Sequence, residues 1–182
     1  MDPDELTALM RAGRRRPIWE PQEQTTRMVD HGRTAVERLL PHRDPFLFVD
    51  RITRVDLEQR ALTAWRAIDS RDPVFVGHFP SYPIYPGVLL LETMGQAGIC
   101  LAHFVRRSTL DVGAEVTPVD VRALKIHSAL FIEEVGPGAE LTIEARLLSD
   151  DSMTAVCVGQ IRRGSAVAAV AVMEVYFVGD EA

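Results

Sequence analysis

Three observations predict an α+β fold in which one antiparallel β-sheet wraps around a long central helix. One long apolar helical stretch, residues 87 to about 106, stands among segments of strand composition. A hairpin precedes it. Four further strand-like segments follow, separated by turn residues. A single sheet over a single helix is the simplest way for that order to bury both apolar faces.

Each element has a local reason. Residues 1 to about 32 read as an N-terminal extension, polar, with a basic cluster Arg14-Arg15-Arg16 and breakers at Pro17 and Pro21. Leu6, Leu9 and Met10 suit one short amphipathic helix there. Thr34 to Leu40 reads as a short helix that Pro41 ends. Phe46-Leu47-Phe48-Val49 running into Ile52, Thr53 and Val55 reads as a strand, Asp56 to Gln59 as a turn, and Ala61 to Ile68 as the return strand. Residues 69 to 86 carry Pro73, Pro80, Pro83 and Pro86 and read as a loop. Pro86 can stand in the first turn of the long helix, where a missing N–H costs nothing. Arg106 and Arg107 suit its C-terminal dipole. Val121 to Glu133, Glu140 to Leu148, Thr154 to Arg163 and Ala166 to Phe177 are expected as four strands in meander. The division expected is an extension over 1–32 and one domain over 33–182. The extension, lying outside that domain, is expected to be dispensable for any chemical step.

Bulk properties exclude several classes. At 182 residues with 47% apolar and 25% charged residues, the chain is an ordinary globule large enough for a real core. Its net charge of −6 gives no global case for nucleic-acid binding. Cys100 and Cys157 form no CxxC pair and read as reduced core thiols. The acidic start leads into no hydrophobic run, so no signal peptide is expected. The apolar stretches read as too short or too interrupted to span a bilayer. A cytoplasmic protein with no membrane span is the expectation.

Residues 77 to 98 carry the functional signal. His78 stands before a Phe-Pro turn. Glu92 stands alone in the apolar helix that follows. A carboxylate there costs about 1–3 kcal/mol to desolvate without a partner or a task. A base on a loop and an acid on a helix suit a reaction that removes one proton and donates another. His31, His42, His103 and His127 show no mutual metal spacing and read as structural or surface residues. No metal site is expected.

Four stretches, in order, resemble the FabZ type of hotdog-fold 3-hydroxyacyl-[acyl carrier protein] dehydratases. They are Leu40 to Arg51, Gly77-His78-Phe79-Pro80, Pro86-Gly87-Val88-Leu89 with Glu92 and Gln96, and Val135-Gly136-Pro137-Gly138. The similarity covers about residues 34 to 178. The chain departs from the family's pattern with Asp44 in place of Tyr, Tyr85 in place of Met, and Ile126-His127 in place of Phe-Arg. These departures bear on acyl specificity more than on reaction type.

The resemblance implies loss of water from a (3R)-3-hydroxyacyl thioester to give a trans-2-enoyl thioester. His78 would take the α-proton. Glu92 would protonate the leaving hydroxyl or hold the water formed. The Gly87 N–H at the helix N-terminus would donate to the thioester oxygen, with glycine permitting close approach. Phe79, Val88 and Gln96 complete the expected oxyanion and substrate-binding set, Gln96 by a structural hydrogen bond one turn beyond Glu92. No cofactor is implied. The implied partners are an acyl carrier protein or coenzyme A bearing the 3-hydroxyacyl group, and further copies of the chain as a homodimer or trimer of dimers with His and Glu of one site on different subunits. Arg106, Arg107, Arg122 and Lys125 are candidates for a basic rim that attracts an acidic carrier. A hotdog acyl thioesterase and a non-catalytic acyl-binding hotdog protein remain as alternatives.

Overall fold

The computed structural model describes residues 1–151 and 153–178; residues 179–182 of the expected domain lie outside the described residues. In chain order the elements are α1 (Pro3–Gly13), β1 (Arg27–His31), α2 (Arg33–Leu39), β2 (Arg51–Asp56), β3 (Ala61–Ala67), α3 (Val74–Gly77), α4 (Gly87–Arg107), β4 (Val121–Phe131), β5 (Glu140–Asp150), β6 (Thr154–Arg163) and β7 (Ala166–Phe177). The strands form one antiparallel sheet in the order β1-β2-β3-β5-β6-β7-β4. It wraps α4, giving the hotdog fold.

Helix α4 begins after Pro86 and ends at Ser108, a left-handed residue at φ 47°, with Arg106 and Arg107 in the last turn. Met94, Ala97, Leu101 and Phe104 are buried in the core that α4 shares with β5, β6 and β7. Gly159 on β6 lets helix and sheet meet closely, since a Cβ there would lie 2.6 Å from Met94 Cβ. Among the described residues one helix, α4, is long and apolar enough to cross a membrane, contrary to the expectation that no stretch suffices; two thirds of that apolar window is buried inside the fold.

Three expectations are corrected. Residues 46–49 are not a strand, because their backbone is served by a side chain instead of a ladder. Buried Gln96 accepts from the Phe48 N–H at 2.7 Å and donates to the Phe46 carbonyl at 2.9 Å. The last four strands are not a simple meander: β5, β6 and β7 are, but β4 pairs with β7 at the far edge while β5 pairs with β3. The last turn of α4 lies at the ends of β5 and β7, where Arg106 pairs with Asp150 and covers the Phe177 ring, and the chain that follows adds β4 beside β7. The stretch 69–86 also holds the short helix α3.

The extension is built into the sheet. β1 pairs with β2 at the near edge. Met10, Ile18 and Trp19 are buried with Ala61, Val158, Val170 and Val172 in a second cluster, on the face of the sheet away from α4. Gln160 Nε2 donates to the carbonyls of Gly13 at 2.6 Å and Arg16 at 2.9 Å. The polar, proline-broken extension is therefore packed against the sheet.

Asp56 ties down the segment's other end. Its buried carboxylate accepts from Thr25 Oγ1 at 2.6 Å, Thr26 Oγ1 at 2.8 Å, the Gln59 N–H at 2.8 Å and Gln59 Nε2 at 3.0 Å. Burial alone would push its pKa up. The hydrogen bonds from Gln59, Thr25 and Thr26 outweigh that and hold it at about 2, against an ordinary 3.8. A folded value below the unfolded one means stability that is complete above pH 3.8 and lost as the pH falls through 2. Asp56→Asn is expected to lower the melting temperature most at neutral pH, with the difference from wild type shrinking as acid protonates Asp56. Thermal melts at a series of pH values check this; a constant difference would show that the charge plays no part.

Candidate active site

The loop before α4 sets the ring of His78. Its backbone N–H donates to the Val74 carbonyl at 2.9 Å, and Ile84 N–H donates back to the His78 carbonyl at 3.0 Å. The ring Nδ1 lies 2.9 Å from the Ile84 carbonyl oxygen. A carbonyl only accepts, so Nδ1 carries the hydrogen in the neutral ring and Nε2 is left with the lone pair. Nε2 is thereby assigned as the basic atom. Phe79 stacks on the ring at 4.2 Å between centroids, and the His78–Phe79 peptide is cis.

Glu92 stands two turns into α4. Its side chain is 32% exposed, so it is half-buried rather than sealed in the core. Oε1 accepts from Gln96 Nε2 at 2.9 Å and lies 3.3 Å from His42 Nε2. It lines a cavity of about 330 Å³ with His42, Val88, Leu91, Gly95 and Ile99 on one side and residues of β4 and β7 on the other. That wall is mostly apolar with few polar groups, the character of a small-molecule site.

The expected set is thus divided. Glu92 and Val88 line the cavity, whereas His78, Phe79, Gly87 and Gln96 do not. Gln96 sits behind it as a clamp. Gly87 is the first residue of α4, so its N–H has no acceptor within the helix. The close approach expected for substrate at Gly87 is taken, within one chain, by Phe131. A Cβ on Gly87 would lie 2.9 Å from that ring. Tyr85 and Met94 are core residues, and Tyr82 is exposed and donates to Glu134 Oε2 at 2.6 Å.

His42, expected as a structural or surface residue, instead meets Glu92; the contact spans fifty positions and has no local signal beyond membership in the Leu40 to Arg51 motif. Among the other departures, Asp44 pairs with Arg33 and His127 Nε2 lies 2.8 Å from Glu174 Oε2. Two of the four rim candidates are engaged: Arg106 pairs with Asp150 and lies over the Phe177 ring, and Arg122 pairs with Asp120. Lys125 lines the cavity of Glu92. Burial raises the pKa of both thiols, that of Cys157 to about 12, so neither offers a ready nucleophile. Among the described residues no cluster of His, Cys, Asp and Glu is arranged to hold a metal ion.

A sheet wrapped on a buried helix, a carboxylic acid of that helix facing a cavity, and an oriented imidazole on the preceding loop define a hotdog protein equipped for acid–base chemistry. The chain belongs to the FabA-like domain family, whose domain matches residues 40–174. Its relatives include the 3-hydroxyacyl-[acyl-carrier-protein] dehydratase FabZ of Anaeromyxobacter sp. (strain Fw109-5), 40% identical over 114 residues that cover 63% of this chain and 69% of that protein. The FabZ of Vibrio atlanticus (strain LGP32) is 39% identical over 128 residues, 70% of this chain and 78% of that one. Among solved structures, the dehydratase heterocomplex ApeI:P from Xenorhabdus doucetiae is similar in fold, with a TM-score of 0.60 and 20% identity over 78% of this chain and 90% of that one.

Proposed function

We propose that this protein is a 3-hydroxyacyl-[acyl carrier protein] dehydratase, converting a (3R)-3-hydroxyacyl thioester to the trans-2-enoyl thioester in fatty acid or related biosynthesis. The observation that carries the reading is the pair of acid–base groups. His78 has Nε2 free to accept a proton, and Glu92 has one oxygen held while the residue faces an apolar cavity. His78 Nε2 removes the α-proton. Glu92 delivers a proton to the β-hydroxyl as the carbon–oxygen bond breaks, and water leaves. The Gly87 N–H stabilises the charge on the thioester oxygen. Similarity to FabZ dehydratases of two organisms supports the substrate class. Incubation with 3-hydroxyacyl carriers of several chain lengths, followed by mass spectrometry for loss of one water, tests it. Release of free acid instead would favour a thioesterase.

The active unit proposed is a homodimer, or a trimer of such dimers, with each site shared between subunits. In one chain His78 does not line the cavity of Glu92. Phe79, Val88, Leu124, Ile126 and Phe131 are large apolar side chains left exposed by the single chain, a surface suited to a second copy. Mixing inactive His78→Ala subunits with inactive Glu92→Gln subunits is expected to restore part of the activity. Continued inactivity after verified subunit exchange would place both groups of one site on one chain. The carrier partner proposed is acidic, drawn by long-range charge attraction. The setting proposed is the cytoplasm, which two free buried cysteines suit.

A further inference from the structure

We infer that His42 is a positioning residue for the Glu92 carboxyl: with Gln96 it holds Oε1, so that the reacting proton is presented on Oε2. The inference rests on the dehydratase reading above. His42 Nε2 and Gln96 Nε2 both converge on Oε1, at 3.3 Å and 2.9 Å. The Gln96 amide nitrogen can only donate. A carboxylate oxygen can only accept, so the His42 nitrogen that faces it at 3.3 Å is assigned the ring hydrogen, the tautomer being set from its partner. A hydrogen placed on Oε1 would oppose two donors. The neutral acid therefore carries its proton on Oε2.

The surroundings make this arrangement stiff. Gln96 is fully buried and is itself fixed by the backbone of Phe46 and Phe48. Phe46 stacks on the His42 ring with centroids 6.4 Å apart. His42 Nδ1 is buried with no hydrogen-bond partner among the described residues. The contact to Glu92 is thus the polar use to which this imidazole is put; for packing alone an apolar side chain would serve without leaving Nδ1 unpaired. The remaining charged groups around the cavity are Lys125 from β4 and Glu174 from β7, with none from the neighbouring turns of α4.

The test compares wild type, His42→Leu and His42→Gln as full-length chains. It measures kcat and KM for a (3R)-3-hydroxyacyl N-acetylcysteamine thioester across a range of pH. His42→Leu is expected to lower kcat about tenfold with KM changed less than about twofold, the signature of an interaction that matters in the transition state. His42→Gln restores an N–H and should recover most of kcat. A kcat in His42→Leu within about twofold of wild type, or a His42→Gln variant as impaired as His42→Leu, overturns the inference. The carboxyl carbon-13 NMR signal of Glu92 reads the same contact without turnover: at fixed pH it should shift in His42→Leu and return toward wild type in His42→Gln, and an unshifted signal also overturns the inference. If wild type dehydrates no 3-hydroxyacyl thioester, the functional proposal fails, while the NMR signal still decides the role of His42 at the carboxyl.

Discussion

Glu92→Gln and His78→Ala are each expected to reduce dehydration by about 10²- to 10⁴-fold, the range for removing a positioned general acid or base. Glu92→Gln is the sharper of the two. The amide keeps the length and shape of the side chain, and its oxygen can still accept from Gln96 and His42 in place of Oε1. What disappears is the transferable proton. His78→Ala removes Nε2 and also the Nδ1 hydrogen bond to the Ile84 carbonyl, which helps hold the loop before α4. Its fold and assembly therefore need separate measurement, by circular dichroism and sedimentation. Steady-state kinetics on a carrier-bound substrate decides the matter. A variant that keeps more than a tenth of the wild-type rate, a loss below about 1.4 kcal/mol, does not bear out the role assigned to that residue.

Trp19→Ala is expected to be the most damaging change outside the site. Trp19 is 5% exposed and lies with Met10 and Ile18 against Ala61, Val158, Val170 and Val172. Truncating a buried tryptophan costs about 3–5 kcal/mol. In a domain of this size each kcal/mol lowers the melting temperature by about 2–4 °C. A fall of at least about 6 °C is thus expected by calorimetry, from the smaller cost and the smaller slope. Removing residues 1–26 entirely should go further, since it bares the valines of the outer face and invites association. At a temperature where the Trp19→Ala protein remains folded, its kcat on a small thioester should stay close to wild type, because the cluster lies across the sheet from α4. A melting temperature within about 2 °C of wild type would mean that the segment is not the seal its burial implies.

Elements held by local contacts are legible in the sequence, and those held by distant contacts are not. The bounds of α4, β3, β6 and β7 were legible within a residue or two from helical period, strand composition and turn residues. Phe46 to Val49 misled because it has the composition of a strand; its backbone is satisfied by Gln96, an interaction across forty-eight positions that no local pattern announces. The extension misled for the same reason. Its prolines and arginines are those of a free arm, and only the packed structure shows Trp19 meeting the outer valines and Gln160 reaching the Gly13 and Arg16 carbonyls.

His78 and Glu92 were chosen from sequence because each residue is odd in its setting, an imidazole in a proline-rich loop and a carboxylate in an apolar helix. Their partners could not be chosen that way. By itself the sequence determined α4, the hairpin and the strands that follow, and the two groups suited to proton transfer, since these follow from residue type and short-range spacing. The tertiary structure alone decided that β4 closes the far edge and β1 the near one, that Met10, Ile18 and Trp19 seal the outer face, and that His42 and Gln96 converge on one oxygen of Glu92. Periodicity says which face of an element must be covered; what covers it depends on how the whole chain packs.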